Sequence, residues 1–190
     1  MSGSDRAKWE ARWQARAGDA GEPERFLVQK AASLPPGSVL DVAAGDGRNA
    51  LWLAVHGFAV SAVDISATAV MMLTRSASSR GLSIVTRVAD LDEPTALSGL
   101  GPFDLVVVLR YRPSASQWPG LVAALRPGGQ MLLCSFAPGQ HERHGFPLEF
   151  CLDRQVLEAE LGPLLKLQEW TDLQEDGHFL AGSVWLKPTK

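Results

Sequence analysis

The sequence contains no uninterrupted apolar run of 18 residues, so no part of it reads as a membrane-spanning helix. Its 190 residues include only two cysteines, Cys134 and Cys151, and no Cys-x-x-Cys pair, which excludes a disulfide framework and a zinc ribbon. Neither sign of charge dominates: 18 Lys and Arg stand against 21 Asp and Glu, for a net charge of −3. That balance gives no broad attraction to nucleic acid or to an anionic membrane. The amino terminus is polar and lacks the apolar core of a secretion signal. There are no internal repeats or low-complexity segments. What remains is an ordinary globular mix, 46% hydrophobic and 21% charged. A chain of this length is expected to form a single cytoplasmic domain that buries roughly 70% of its unfolded surface.

The most informative stretch runs from Val39 through Ala50, Val-Leu-Asp-Val-Ala-Ala-Gly-Asp-Gly-Arg-Asn-Ala. A short apolar run follows the turn residues Pro35-Pro36-Gly37-Ser38 and reads as a buried strand. Gly45 and Gly47 then allow a tight turn and a close backbone approach to a ligand. The next helix carries Leu51, Trp52, Ala54 and Val55 on its expected apolar side. Strand, glycine turn and helix together form the nucleotide-binding start of a doubly wound α/β fold.

Spacing alone leaves two ligands open. Gly45-x-Gly47-x-x-Ala50, with Asp64 nineteen residues after Gly45, also fits a dinucleotide fingerprint and hence an NAD-dependent oxidoreductase. The charges separate the two readings. Asp41 and Asp46 flank the turn, and a like-charge contact near 4 Å costs ~4 kcal/mol at an effective dielectric of 20. These acids oppose a pyrophosphate but attract a ligand bearing an ammonium and a sulfonium. S-adenosylmethionine carries both, and its carboxylate can pair with Arg48 or with the N–H groups of the turn.

The segment Asp41-Val42-Ala43-Ala44-Gly45-Asp46-Gly47 resembles the first motif of class I S-adenosylmethionine-dependent methyltransferases. The following Arg48-Asn49-Ala50-Leu51-Trp52-Leu53-Ala54 is similar to the small tellurite-resistance and thiopurine-type members. Ala43 stands where the broad family often has its first glycine. The resemblance implies a doubly wound, Rossmann-like α/β sheet of seven strands, with helices on both faces and an antiparallel C-terminal hairpin. It implies a single domain, residues 1–34 forming a helical segment and candidate lid and residues 35–190 the methyltransferase core.

Taken in order, residues 5–17 read as an amphipathic helix with Trp9 and Trp13 on one face. In the family resembled, a similar segment covers the cofactor side, which makes Trp13 a candidate at the substrate site. Residues 17–23 read as a polar loop, and 24–34 as a helix stopped by Pro35-Pro36-Gly37. The second strand, 58–64, ends in Asp64, whose carboxylate can accept both ribose hydroxyls, with Ile65 beside it. Ser66 is a candidate cap for a helix over 67–79, with Val70, Met71, Leu73 and Ala77 toward the sheet. A third strand, 82–88, leads into Asp90 and Leu91, which match the family's adenine position. The fourth, 102–109, is nearly continuous in apolar residues, as expected of a central parallel strand, and delivers Leu109, Arg110, Tyr111 and Arg112 to the ligand face. A helix over 118–125 and a turn at Arg126-Pro127-Gly128-Gly129 precede a fifth strand at 130–136. Residues 137–150 read as a loop that carries His141, Glu142, Arg143 and His144. Asp153 is a candidate cap for a helix ending at Leu161, and strands over 164–170 and 179–186 are joined by a polar connection, 171–178.

The cofactor-binding set expected from motif and resemblance is thus Asp41, Ala43, Gly45, Gly47, Arg48, Asp64, Ile65, Asp90, Leu91 and Leu109. Arg110, Arg112, Arg143 and His141 are candidates to hold an anionic substrate, and Tyr111 is a candidate pocket wall. No Ser/His/Asp or paired-carboxylate arrangement stands out, so no catalytic base is assigned. Two histidines at 141 and 144 without further ligands do not make a metal site. The expected activity is methyl transfer to a small-molecule nucleophile, with sulfur, selenium or tellurium suggested by the resemblance. The expected partner is that small molecule alone, and the expected assembly a monomer or homodimer. An NAD-dependent oxidoreductase and a non-catalytic S-adenosylmethionine-binding module are the alternatives.

Overall fold

The computed structural model describes residues 3–16, 20–34 and 36–189. The expected loop positions 17–19 and the stop at Pro35 lie outside the described residues. Helices α1 (Gly3–Gln14) and α2 (Arg25–Ala31) precede β1 (Ser38–Val42), α3 (Arg48–Val55), β2 (Ala59–Asp64), α4 (Ala67–Ser79) and β3 (Ile84–Val88). There follow β4 (Phe103–Leu109), α5 (Trp118–Ala124), β5 (Leu125–Phe136), α6 (Pro138–His144), α7 (Arg154–Leu161), β6 (Lys166–Glu175) and β7 (His178–Leu186).

The seven strands form one sheet in the order β3-β2-β1-β4-β5-β7-β6. The first five are parallel, and β7 runs antiparallel to both β5 and β6. Strand order reverses between β1 and β4, so the crevice beyond their carboxyl ends is where a ligand binds in such a sheet. The apolar run of β4 is buried at almost every position because both faces are covered. On one face Phe26, Leu27, Leu51, Leu53 and Leu73 pack against the sheet. On the other lie Trp118, Leu121, Leu157, Leu161 and Trp185. Each such side chain, fully buried, contributes roughly 1.5–3 kcal/mol. Both expected caps form: Ser66 Oγ accepts from Ala69 N at 3.1 Å, and Asp153 Oδ1 from Val156 N at 3.0 Å.

Several local expectations are corrected. Residues 137–150 are not a plain loop: Pro138 opens α6, Gly145 closes it in the left-handed region, and Leu148–Phe150 adds a 3₁₀ turn. The polar connection 171–178 is mostly strand, since β6 runs to Glu175 and only Asp176 and Gly177 make the turn. Its polarity reflects an edge strand with one wet face, not a loop. On α3 the buried positions are Asn49, Ala50, Leu51 and Leu53, while Val55 is 62% exposed. On α4 they are Ala69, Leu73 and Ala77, and Met71 faces outward. Helical rows broad enough to allow either face were resolved by which side met the sheet. The fifth strand also begins earlier, at Leu125, because Phe103 pairs there before the register shift at the glycine turn.

Candidate active site

The turn after β1 is built for close approach. Gly45 and Gly47 have φ of +58° and +87°. A methyl group on Gly47 would lie 2.1 Å from Leu73 Cδ1. One on Gly45 would lie 2.6 Å from Trp13 Cζ2. Ala43, at the position where the resembled family often has glycine, also adopts a left-handed φ of +55°. A non-glycine residue there costs roughly 1–2 kcal/mol. The change Ala43→Gly is therefore expected to leave stability unchanged or to raise it by up to about 1 kcal/mol, the gain being offset by chain entropy. A denaturant melt checks this; a loss above 1 kcal/mol would mean that the alanine methyl packs productively.

The electrostatics of the turn are unusual. Asp41 and Asp46 are both buried, and the Oδ2 atom of each accepts no hydrogen bond among the described residues. Arg16 Nη2 lies 3.0 Å from Asp46 Oδ2 as an ion pair without hydrogen-bonding alignment. Burial, helped by the nearby Asp64 carboxylate, pushes the Asp41 carboxyl up to about 7, against the pull of the Ala50 N–H and Arg48. Buried carboxylate oxygens without donors beside a glycine turn match a cationic ligand and oppose an anionic one.

Asp64 sits at the end of β2, where Oδ2 accepts from Gly45 N at 2.8 Å and Oδ1 from Ser66 N at 2.9 Å. Burial raises its carboxyl despite these bonds. Each oxygen keeps a second lone pair for a ligand hydroxyl. Ile65, the next residue, and Leu109, at the end of β4, are both buried, and Leu91 packs on the core cluster that contains Val63. Asp90 lies 3.7 Å from Arg6 Nη2.

Helix α1 crosses these loops. Trp13 lies over Gly45, Arg16 reaches Asp46 and Arg6 reaches Asp90. Glu10 accepts from Ser66 Oγ at 2.6 Å, from Thr68 N at 3.3 Å and from Thr68 Oγ1. The two hydroxyl bonds hold the Glu10 carboxyl down at about 2. Its fastening of α1 is therefore present above the usual carboxylate range and is lost as the pH falls from about 4.5 to 2.

The remaining candidates occupy two places. Arg110, in the left-handed region at φ +56°, donates from Nε to Glu24 Oε2 at 2.7 Å and from Nη2 to Glu24 Oε1 at 3.1 Å. Arg48 Nη2 donates to the same Oε2 at 3.2 Å. Glu24 is only 3% exposed, and its N–H donates to Asn49 Oδ1 at 2.9 Å. Beyond them, Arg110 covers the Phe136 ring, Arg143 covers Phe179 and His141 Nδ1 bonds Phe146 O at 2.8 Å. Arg112 turns to the opposite face, where its Nη2 donates to Glu160 Oε2 at 2.8 Å over the Trp118 ring. Tyr111 donates to Gln117 Oε1 at 2.8 Å, and burial pushes its hydroxyl up to about 12. Gln117 Nε2 in turn donates to Asp92 Oδ1 at 2.8 Å, tying this loop to the one that carries Asp90. The sequence reading missed Glu24, Glu10 and Gln117. Only the spacing of Glu10, one turn before Trp13, could have placed it on the inward face of α1.

A cavity of about 680 Å³ opens beside Glu24, Arg48, Trp52 and Arg110 and reaches the β6–β7 turn. A shallower depression of about 310 Å³ at the opposite ends of the strands, near Ser38, Ala59 and Gly101, meets none of these residues.

Sheet order and the antiparallel C-terminal hairpin define the S-adenosylmethionine-dependent methyltransferase fold, whose cofactor is S-adenosylmethionine. The family model described as tellurite resistance protein TehB matches residues 24–135, more than half of the chain. This chain belongs to the TehB family. The crystal structure of TehB from Haemophilus influenzae superposes with a TM-score of 0.68 at 18% identity, covering 86% of this chain and 62% of that one. A solved structure described as "Conversion of a Disulfide Bond into a Thioacetal Group during Echinomycin Biosynthesis" gives 0.78 at 20% identity, covering 97% and 93%. At these identities the likeness is one of fold. The ribosomal protein L11 methyltransferase of Rhizobium johnstonii is 33% identical over 112 residues, 57% of this chain and 38% of that protein. The chain thus matches only a minor part of that relative's length.

Proposed function

We propose that this protein transfers the methyl group of S-adenosylmethionine to a small molecule, and that the accepting atom is sulfur, selenium or tellurium. The observation that carries the reading is the buried Asp41 Oδ2 beside the glycine turn, which accepts no hydrogen bond among the described residues, with the buried Asp46, ion-paired only to Arg16, on the other side of the turn. The TehB family supports a chalcogen acceptor, as does the structural neighbour whose description names a disulfide. In this reading Asp41, Ala43, Gly45, Gly47 and Arg48 hold the methionyl part. Asp64 and Ile65 hold the ribose, Asp90 and Leu91 the adenine, and Leu109 forms the floor. Trp13, Arg110 and Tyr111 bound the acceptor side, with His141 and Arg143 further out; Arg112 is held by Glu160.

When bound, the cofactor supplies an electrophilic methyl on a sulfonium. The acceptor's lone pair forms the new bond, the S–CH₃ electron pair stays with the departing sulfur, and a thiol acceptor loses its proton to solvent. The chain's own task is to align the two and to exclude water, for which orientation contributes several kcal/mol up to a ceiling near 7–11. Trp13, lying over the turn, serves the exclusion.

Calorimetric titration with S-adenosylmethionine, S-adenosylhomocysteine and NAD, followed by a mass-spectrometric acceptor screen, tests this. The expected result is binding of the first two, silence from NAD, and methylated product from a chalcogen acceptor. NAD binding alone would overturn the reading. Replacing Asp64 with Ala is expected to weaken S-adenosylmethionine by about 1–3 kcal/mol, through lost ribose bonds and an orphaned Gly45 N–H. Unchanged affinity would remove Asp64 from the ribose site.

A further inference from the structure

We infer that Gln117 is a positioning residue of the cofactor site: it ties the loop after β4 to the turn that carries Asp90, and so fixes the acid that distinguishes adenine from a base without the 6-amino group. The inference rests on the reading above, in which Asp90 and Leu91 hold the adenine, and adds what orients them.

Asp90 stands in a tight turn after β3. Its Oδ1 accepts from Asp92 N at 3.1 Å, and its carbonyl oxygen accepts from Glu93 N at 3.0 Å. Both bonds lie within residues 90–93. Gln117, at the start of α5, supplies a link from outside the turn: its Nε2 donates to Asp92 Oδ1 at 2.8 Å. Its Oε1 accepts twice, from the Tyr111 hydroxyl at 2.8 Å and from Ser114 N at 3.0 Å. The residue is only 5% exposed, so these bonds matter. They also allow one orientation. Turning the amide over would set its NH₂ against the Ser114 N–H and its oxygen against the Asp92 carboxylate.

The base of this link is rigid. Gln117 N donates to Ser114 O at 3.0 Å, and Gln117 O accepts from Leu121 N at 3.2 Å. Next to it Trp118 is buried, and its Nε1 donates at 2.7 Å to the same Glu160 oxygen that holds Arg112. Tyr111 and Leu91 pack on one core cluster. Burial raises the Tyr111 hydroxyl, and the carboxylates of Asp90, Asp5 and Asp64 add to the rise, so the ring stands near the acids assigned to adenine and ribose. One amide thus sets both an acid and a ring of the same pocket. An adenine amino group donates to a carboxylate, whereas hypoxanthine presents a carbonyl oxygen there and is repelled. That discrimination holds only while the acid is kept in place.

The test is calorimetric titration of the full chain with S-adenosylhomocysteine and with S-inosylhomocysteine, which differ at that position. The unaltered protein is expected to prefer the adenine ligand by about ten- to hundredfold. Gln117→Leu is expected to narrow the ratio about three- to tenfold, by weakening the adenine ligand. A merely structural role would lower both affinities alike and leave the ratio unchanged. Asp92 is exposed, so Asp92→Ala cuts the same link at the surface and carries the test if Gln117→Leu does not fold by circular dichroism. It is expected to narrow the ratio as Gln117→Leu does, whereas Asp92→Asn keeps an acceptor for Gln117 and retains it. A wide ratio that neither Gln117→Leu nor Asp92→Ala narrows overturns the proposal, as does equal narrowing by Asp92→Asn and Asp92→Ala. If the underlying reading fails, the sign is different: S-adenosylhomocysteine does not bind, or the unaltered protein does not distinguish the two ligands, and the proposal falls with it.

Discussion

S-adenosylmethionine is expected to bind this protein more tightly as the pH rises from 5 to 7, by up to about tenfold per unit for each carboxyl that must lose its proton. Asp41 is the principal source of this slope. Burial and the neighbouring Asp64 hold its carboxyl up at about 7 despite the opposing pull of Arg48, against 3.8 for an ordinary aspartate. A cationic ligand favours the ionised form, so binding below pH 7 expels a proton, and Asp64, also raised by burial, adds to the effect. The sign for stability is the reverse. The folded chain without ligand holds a proton that the unfolded chain has released between about 4 and 7. Its stability therefore falls as the pH rises through that window and levels off above it. Calorimetry at pH 5.5, 6.5 and 7.5 in buffers of differing ionisation enthalpy reads both the affinity and the proton released. The range stays below the point near 8 where the ligand's own α-amino group deprotonates. Asp41→Asn is expected to flatten the slope and to weaken binding at pH 7.5. A pH-independent affinity in the unaltered protein would show that Asp41 is already ionised before the ligand arrives.

Removing Glu24 is expected to cost about 2–4 kcal/mol of stability. Truncating one partner of a fully buried ion pair costs roughly 3–5 kcal/mol, because the other charge is stranded. The value here is lower because Arg110 and Arg48 keep 26% and 33% of their side-chain exposure and some access to water. Glu24→Ala leaves both guanidiniums without their acid and loosens the start of α2 from α3 and β4. For a domain of this size the melting temperature falls by roughly 5–15 °C. The double variant Glu24→Ala/Arg110→Ala should recover part of the loss, since it removes the stranded charge together with its partner. A melting temperature within 1–2 °C of the unaltered protein would show that water replaces the carboxylate at little cost.

The glycine turn, its flanking acids, the ends of the first three parallel strands and the C-terminal hairpin were legible because each is a local matter. A left-handed turn needs glycine, a buried strand needs an apolar run, and a helix start needs an oxygen such as that of Ser66 or Asp153. The ambiguity between a dinucleotide and S-adenosylmethionine was also a local one, settled in the sequence by the signs of Asp41 and Asp46. The less legible parts depended on which surface met which. Val55 and Met71 satisfy helical periodicity as well as their neighbours do, yet face solvent because the sheet lies on the other side. Residues 171–175 looked like a connection because an edge strand keeps polar side chains on its wet face.

The sequence by itself determined the fold class and the cofactor chemistry, since these follow from period, turn chemistry and charge sign within short segments. Only the tertiary structure decided the fate of the arginines. Arg48 and Arg110 are 62 positions apart, and Glu24 precedes both; no local pattern says that one carboxylate will lie between two guanidiniums. Folding brought the start of α2, the start of α3 and the end of β4 together at the carboxyl ends of the central strands, where burying Glu24 required both cations as partners. That enforced pairing fixes two candidate anion holders to one acid.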